Sequence, residues 1–165
     1  MASTTLDTKA ETKALDAWVR LLRAHAATTR ALSAELLAEH GLTINDYEAL
    51  LHLSRADEGR MRRVDLAERL LLTASGVTRL LDGLEESGLV EKAACASDRR
   101  VSYAVLTTSG RKRLEAASTS HVAAVRELFA ERYNREDLDR LVELLARLPG
   151  AGEADGAECA AREAE

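Results

Sequence analysis

Residues 73–92, TASGVTRLLDGLEESGLVEK, contain the change of pattern that decides the fold. The first part has helical spacing, and the apolar side chains that would share its buried face are Val77, Leu80, Leu81 and Leu84. Thr73 or Ser75 can cap the start of this helix, and Gly88 lies where a helix commonly ends. The residues that follow, 89–93, alternate between apolar and polar, as in a strand. The stretch therefore predicts a helix that leads directly into a β-strand.

A second alternating segment, residues 101–106, follows the polar loop Cys95–Arg100, so the two segments predict a β-hairpin with a charged tip. Two shorter helices are predicted earlier in the chain, at about residues 44–55 and 63–71, with a very short strand at 60–62 between them. Three short helices followed by a β-hairpin form the pattern of a winged helix-turn-helix.

Long helices are predicted on both sides of this pattern. The first runs from about residue 10 to 40, and Gly41 follows it as the expected C′ residue. Its apolar stripe consists of Leu15, Trp18, Leu22, Ala26, Thr29, Leu32 and Leu36. Two further helices are predicted at about residues 108–132 and 136–148. A helix of roughly 30 residues is far longer than the average of about 11–12, and in a small protein it usually buries its stripe against another chain.

The predicted fold is mainly α with a small β-hairpin wing. The winged helix-turn-helix domain occupies residues 42–107, between dimerisation helices at 10–40 and 108–148. Residues 149–165 are rich in Ala, Glu and Gly, and we expect a disordered tail because they have little apolar surface to bury.

Length and composition exclude several classes of protein. The 165 residues amount to one domain, or one domain with a tail. No apolar run reaches the ~18 residues of a membrane helix, and the first residues lack the apolar region of a secretory signal. Two distant cysteines argue against a disulfide scaffold or a four-thiolate zinc site. We therefore expect a cytoplasmic protein without membrane contact.

Charge is distributed unevenly along the chain. Residues 1–54 carry 5 basic and 7 acidic side chains, residues 55–113 carry 12 and 9, and residues 114–165 carry 6 and 12. The middle third therefore has a net charge of +3, although the whole chain has −5. This asymmetry favours a polyanionic partner for the middle third, although an ordinary mixed-charge surface would produce it too.

The predicted helix at 73–86 has the properties of a DNA-reading helix. Short polar side chains on its outer face could reach base edges in a major groove, and this face contains Ser75, Gly76, Thr78, Arg79 and Asp82. A small N-terminus at Ser75 and Gly76 would let the backbone approach a phosphate. Arg99 and Arg100 at the hairpin tip could enter a minor groove. Thr73 and Ser75 can also be simple helix caps, and Arg79 a solvated surface residue.

Residues 42–113 resemble the MarR family of bacterial transcription regulators, and the flanking long helices match that family too. The motifs that carry the resemblance are Leu66–Leu70, Thr78–Glu91, Ser97–Arg100 and Leu106–Gly110. The resemblance implies a homodimer that binds a pseudopalindromic operator in double-stranded DNA. It also implies DNA contacts by the reading helix at residues 73–86 and by a wing at 92–103. Within that wing, Asp98 and Arg100 match the family's Asp-x-Arg. Gly83 departs from the family pattern, because many relatives have a basic residue there.

Members of this family commonly repress transcription and release DNA when a phenolic or other aromatic acid binds. The resemblance implies a pocket near the first part of the first helix and the second helix. Its candidate residues are Trp18, Arg20, Arg23, His25, Tyr47 and His52. Trp18 also lies on the apolar stripe, which makes it a core or interface candidate. A redox switch is not expected, since no cysteine precedes Cys95.

An enzyme is not expected, because the sequence has no Gly-rich phosphate loop, no metal-ligand spacing among its four histidines and no identifiable catalytic triad. No cofactor is expected either. The alternative to a DNA-binding repressor is a winged helix that docks another protein. The carboxylates of Asp82 and Glu86 favour this alternative, whereas Arg79 and the basic wing favour DNA.

Overall fold

The computed structural model describes residues 8–94 and 102–149, and these form six α-helices and a three-stranded sheet. The elements are α1 (Thr8–His40), α2 (Ile44–Arg55), β1 (Arg60–Arg62), α3 (Arg63–Arg69), α4 (Ala74–Glu86), β2 (Val90–Ala94), β3 (Ser102–Leu106), α5 (Thr108–Ala130) and α6 (Arg135–Leu145). A short 3₁₀ turn, Asp57–Gly59, precedes β1. The chain forms two compact units, one that ends at Ala123 and one that begins at Ala124.

Local sequence signals set the ends of the helices. Thr43 caps α2 in a capping box: its hydroxyl accepts a hydrogen bond from the Asp46 amide at 3.2 Å, and the Asp46 carboxylate accepts one from the Thr43 amide at 2.8 Å. Gly41 and Gly88 follow α1 and α4 with φ angles of 66° and 70°. Only glycine adopts this left-handed conformation without a steric cost, which explains both predicted helix ends.

The sheet is antiparallel and has the order β1-β3-β2. β3 is the central strand, where Ala104 pairs with Met61 of β1 on one side and with Lys92 of β2 on the other. The predicted hairpin and the predicted short strand are therefore both confirmed. The mainly α fold class with a small β wing is also confirmed.

The core of the first unit lies where α2, α3 and α4 pack against each other and against the sheet. Leu50, Leu53, Leu66 and Leu81 are fully buried there. Val77 and Leu84 complete the buried face of α4, and Leu80 packs partly against the core. The predicted inner face of this helix is therefore confirmed.

Several helix boundaries differ from the prediction by one to three residues. α3 ends at Arg69 and not at Leu71, because Leu71 has a φ of 52° and turns the chain towards α4 with 93% of its surface exposed. Val64, in the first turn of α3, is exposed as well. α5 ends at Ala130 and α6 covers Arg135–Leu145, since Asn134 caps the latter one residue earlier than expected.

The apolar stripe of α1 changes its environment along the helix. Leu36 is buried in the core, whereas Leu15, Trp18 and Leu22 are exposed in the single chain. The second unit has a similar apolar surface: α6 contains no buried residue, and Val142, Leu144 and Leu145 are exposed. Among residues 8–94 and 102–149, no helix is long and apolar enough to span a membrane.

Candidate nucleic-acid interface

The N-terminus of α4 is held by Thr73. Its side-chain oxygen accepts a hydrogen bond from the Gly76 amide at 3.1 Å, so Thr73, not Ser75, is the N-cap. A Cβ at position 76 would lie 3.2 Å from this oxygen, which explains the small residue. The Ser75 hydroxyl lies 3.2 Å from that of Thr73. The first turn of α4 is therefore compact and has an exposed serine.

The outer face of α4 is determined by the helical rotation of about 100° per residue. Because Val77, Leu81 and Leu84 point inward, the opposite face contains the exposed Ser75, Arg79, Gly83 and Glu86, with Asp82 partly exposed beside them. Arg79 forms no ion pair with any residue of the described ranges. Its guanidinium is available for a partner outside the chain.

Thr78 lies at the side of this face and is held by two contacts. Its hydroxyl donates a hydrogen bond to the carbonyl oxygen of Ala74 at 2.7 Å and accepts one from Nη2 of Arg63, the first residue of α3. Nε of Arg63 is buried and has no hydrogen-bond partner within residues 8–94 and 102–149. Sequence reasoning missed Arg63, because a contact between residues 15 positions apart leaves no local signal.

Lys92 of β2 is a second residue that sequence reasoning missed. Its ammonium group lies 2.5 Å from Oδ1 of Asp82 and 2.7 Å from Oε2 of Glu85, so one lysine binds two carboxylates of α4. Hydrogen bonds from Lys92 to Asp82 and Glu85 raise the pKa of this lysine. An ion-pair triad therefore joins α4 to β2.

Asp98, Arg99 and Arg100 lie outside the described residues, as does Cys95. The strands on either side, β2 and β3, are paired up to Ala94 and Ser102. The register at this end of the sheet is therefore defined on both strands.

The six candidate ligand residues lie on α1 and α2 and differ in exposure. Trp18, Arg20, Arg23 and His25 are exposed on α1, where Nε of Arg20 pairs with the Asp16 carboxylate at 2.8 Å. His52 is partly buried in α2.

Tyr47 is buried and takes part in a polar cluster formed by α1, α2 and α5. Its ring centre lies 4.7 Å from that of His121, and its hydroxyl is 3.2 Å from that of Ser118. His40 Nε2 lies 2.7 Å from the hydroxyl of Ser120 in the same region. Burial lowers the pKa of His121, against the opposing charge of Glu35. Tyr47 therefore contacts residues of α5 that are not among the predicted ligand residues.

A sequence model described as the MarR family matches residues 40–101. Among characterised relatives, the HTH-type transcriptional repressor YetL of Bacillus subtilis is 32% identical over 111 residues, which cover 67% of this chain and 66% of YetL, just under two thirds of its length.

Solved structures of MarR proteins resemble the whole described fold. AbsC, a MarR family transcriptional regulator from Streptomyces coelicolor, has 34% identity and a TM-score of 0.72, over 87% of this chain and 93% of AbsC. Sco3205 from the same organism, solved in complex with DNA, has 26% identity and a TM-score of 0.74, over 87% of each chain. CouR from Rhodococcus jostii RHA1, bound to p-coumaroyl-CoA, has 27% identity and a TM-score of 0.67, over 79% of this chain and 90% of CouR.

These proteins are transcriptional regulators and not enzymes. The identity to AbsC extends over nearly all of that protein, and the family match coincides with the helices and strands that build the α4 surface. This chain belongs to the MarR family of transcriptional regulators.

Proposed function

We propose that this protein is a homodimeric repressor that binds a pseudopalindromic operator and is released from it by a small aromatic or anionic effector. The observation that carries the proposal is the outer face of α4, where Ser75 and the unpaired guanidinium of Arg79 follow a capped, compact N-terminus. Side chains of this kind at the start of a recognition helix are suited to base edges in the major groove. Sco3205, a structural neighbour, was solved with DNA, which supports the same partner here.

In this proposal Thr73, Ser75 and Gly76 approach the DNA backbone through the N-terminus of α4. Thr78 and Arg79 face the bases. Asp98, Arg99 and Arg100 of the wing remain predictions from the sequence, in which Arg100 enters the minor groove. Replacement of Arg100 by Ala is then expected to weaken operator binding, and equal affinity at the same salt concentration would contradict this assignment.

The proposed dimer follows from apolar side chains that the single chain leaves exposed. Leu15, Trp18 and Leu22 on α1 and Val142 and Leu145 on α6 are all more than one third exposed. A surface of this kind in a monomer favours association. We assign the dimer contact to helices 10–40 and 108–148, with Trp18 as an interface residue.

The effector part of the proposal is supported by CouR, which was solved with p-coumaroyl-CoA. The candidate contacts remain Trp18, Arg20, Arg23, His25, Tyr47 and His52. Of these, Tyr47 has the most defined environment, because its hydroxyl and ring contact Ser118 and His121 of α5. The repressor role is supported by the similarity to YetL, a transcriptional repressor.

A titration of the purified protein against the DNA upstream of its own gene tests the proposal. Specific binding is expected at nanomolar concentrations, in the presence of excess random DNA, and is expected to fall steeply as salt increases. Aromatic acids added to the complex are expected to release the DNA. Weak binding without sequence preference would favour the alternative, a winged helix that docks another protein through the carboxylates of Asp82 and Glu86.

A further inference from the structure

Lys92 connects two elements that otherwise have separate tasks in DNA recognition. It belongs to β2, and its ammonium group reaches across to α4, where it lies 2.5 Å from Asp82 and 2.7 Å from Glu85. Two residues before Lys92, Val90 is buried in the core, and two residues after it β2 ends at Ala94. The triad is therefore located where the strand leaves the core.

The two carboxylates lie beside the surface that is proposed to face DNA. Asp82 follows Arg79 by one helical turn, and its side chain is 46% exposed, while that of Glu85 is 43% exposed. Carboxylates at this position repel phosphates unless a cation neutralises them. Lys92 is the only residue of the described ranges with an ion pair to Asp82 or Glu85.

The triad contributes little to folding as such. Its three side chains are partly exposed, and ion pairs of this kind are screened by water and salt. Its geometric effect is more specific, because one ammonium group bound to two oxygens on successive turns of α4 restricts the angle between the helix and β2.

We propose that Lys92 is a positioning residue for operator recognition, which holds β2 at a fixed angle to α4 by binding Asp82 and Glu85 together. The inference rests on the proposed DNA-binding function. On this view, α4 and the wing contact the operator in the correct relative positions only when Lys92 binds both carboxylates. Removal of the tie therefore reduces operator affinity more than affinity for random DNA.

The test uses four variants of the full chain, with the affinity for operator and for random DNA measured at two salt concentrations. Lys92→Met breaks the tie and leaves two uncompensated carboxylates. The triple variant Lys92→Met, Asp82→Asn, Glu85→Gln breaks the tie without leaving charge. Lys92→Arg keeps a cation that can bind both carboxylates. Arg55→Met, at an exposed arginine at the end of α2, is the control for the loss of one positive charge.

We expect Lys92→Met to lose about tenfold or more in operator affinity. The triple variant is one charge more positive than wild type, so it is expected to bind random DNA at least as tightly as wild type but not to recover operator binding. Lys92→Arg and Arg55→Met are expected to remain within about threefold of wild type on the operator. All four variants are expected to melt close to the wild-type temperature. If Lys92→Met is poorly folded, the charge-neutral triple variant still decides the question.

Recovery of operator affinity by the triple variant would overturn the proposal, because it would assign to Lys92 only the neutralisation of charge. Unchanged operator affinity of Lys92→Met would overturn it as well. Both results leave the proposed function intact, since the wild type still binds its operator. Failure of the wild type to prefer any operator would instead remove the proposed function, and this inference with it.

Discussion

Gly83 occupies an open position in the middle of α4. No atom lies within 4 Å of the place where a Cβ would be, and the backbone is helical. Glycine inside a helix is about 1 kcal/mol less favourable than alanine. We predict that Gly83→Ala raises the free energy of unfolding by about 1 kcal/mol in a urea titration. An unchanged or lower stability would contradict the open environment that the structure gives this residue.

Gly110 has the opposite environment. A Cβ at this position would lie 2.1 Å from the carbonyl oxygen of Leu89 and 2.8 Å from a methyl group of Leu106, so α5 can approach the sheet only with glycine here. Because the closest atom belongs to the backbone, it cannot rotate away. We predict that Gly110→Ala lowers the free energy of unfolding by about 3 kcal/mol, at the upper end of the usual cost of overpacking. A variant as stable as wild type in the same urea titration would show that the space between α5 and Leu89 can hold a methyl group.

At the scale of the element, α4 depends on its cap. The hydroxyl of Thr73 accepts the Gly76 amide, whereas that of Ser75 accepts no amide hydrogen bond within the described residues. Thr73→Ala is expected to lower the free energy of unfolding by about 1 kcal/mol. Ser75→Ala is the control and is expected to change stability much less. Equal losses for the two variants, measured by thermal unfolding, would show that both hydroxyls hold the helix.

The elements themselves could be predicted largely from the sequence, because their signals are local. The start of α2 follows from the Thr43 cap, and the end of α4 from Gly88. The predicted end of α3 was wrong, because Leu70 and Leu71 continue the apolar pattern of the helix. Leu71 leaves the helix all the same, in a left-handed conformation that side chains rarely adopt.

The site was less predictable than the elements. The residues on the outer face of α4 follow from helical periodicity, which is local. The contacts that hold this face, from Arg63 to Thr78 and from Lys92 to Asp82, join residues 15 and 10 positions apart in different elements. Such contacts depend on the packing of α3, α4 and β2, and no sequence spacing specifies them in advance.

At the scale of the whole molecule, the polar cluster between α1, α2 and α5 links stability to pH. Burial lowers the pKa of His121 below its ordinary value of 6.5, and the charge of Glu35 opposes this only in part. The unfolded chain therefore binds a proton at a higher pH than the folded protein does. The free energy of unfolding is expected to decrease as pH falls below about 6.5.

His121→Asn separates this effect from the titration of other groups. The variant is expected to lose part of the slope of stability against pH between about 6.5 and 5.5, in unfolding curves recorded with urea. His25, which is exposed, provides the matched control as His25→Asn. A slope that is the same in wild type and His121→Asn would mean that His121 is accessible to protons in the folded protein.

The uneven charge of the chain agrees with the placement of the proposed functions. The +3 middle third contains α3, α4 and the sheet, while the acidic segments contain most of the long helices proposed to form the dimer. A polyanion is thus attracted to one part of the molecule only, although the net charge is −5. This distribution agrees with the proposed DNA-binding domain between the proposed dimerisation helices.

The central claim is that the outer face of α4 reads DNA sequence, and the operator affinity of Arg79→Ala tests it most directly. Arg55→Ala, at an exposed arginine at the end of α2, is the control for the loss of one positive charge. We predict that Arg79→Ala loses about 10- to 100-fold in operator affinity, as expected for the loss of a base contact, and much less on random DNA. Equal operator affinity of Arg79→Ala and wild type at the same salt concentration would contradict the account.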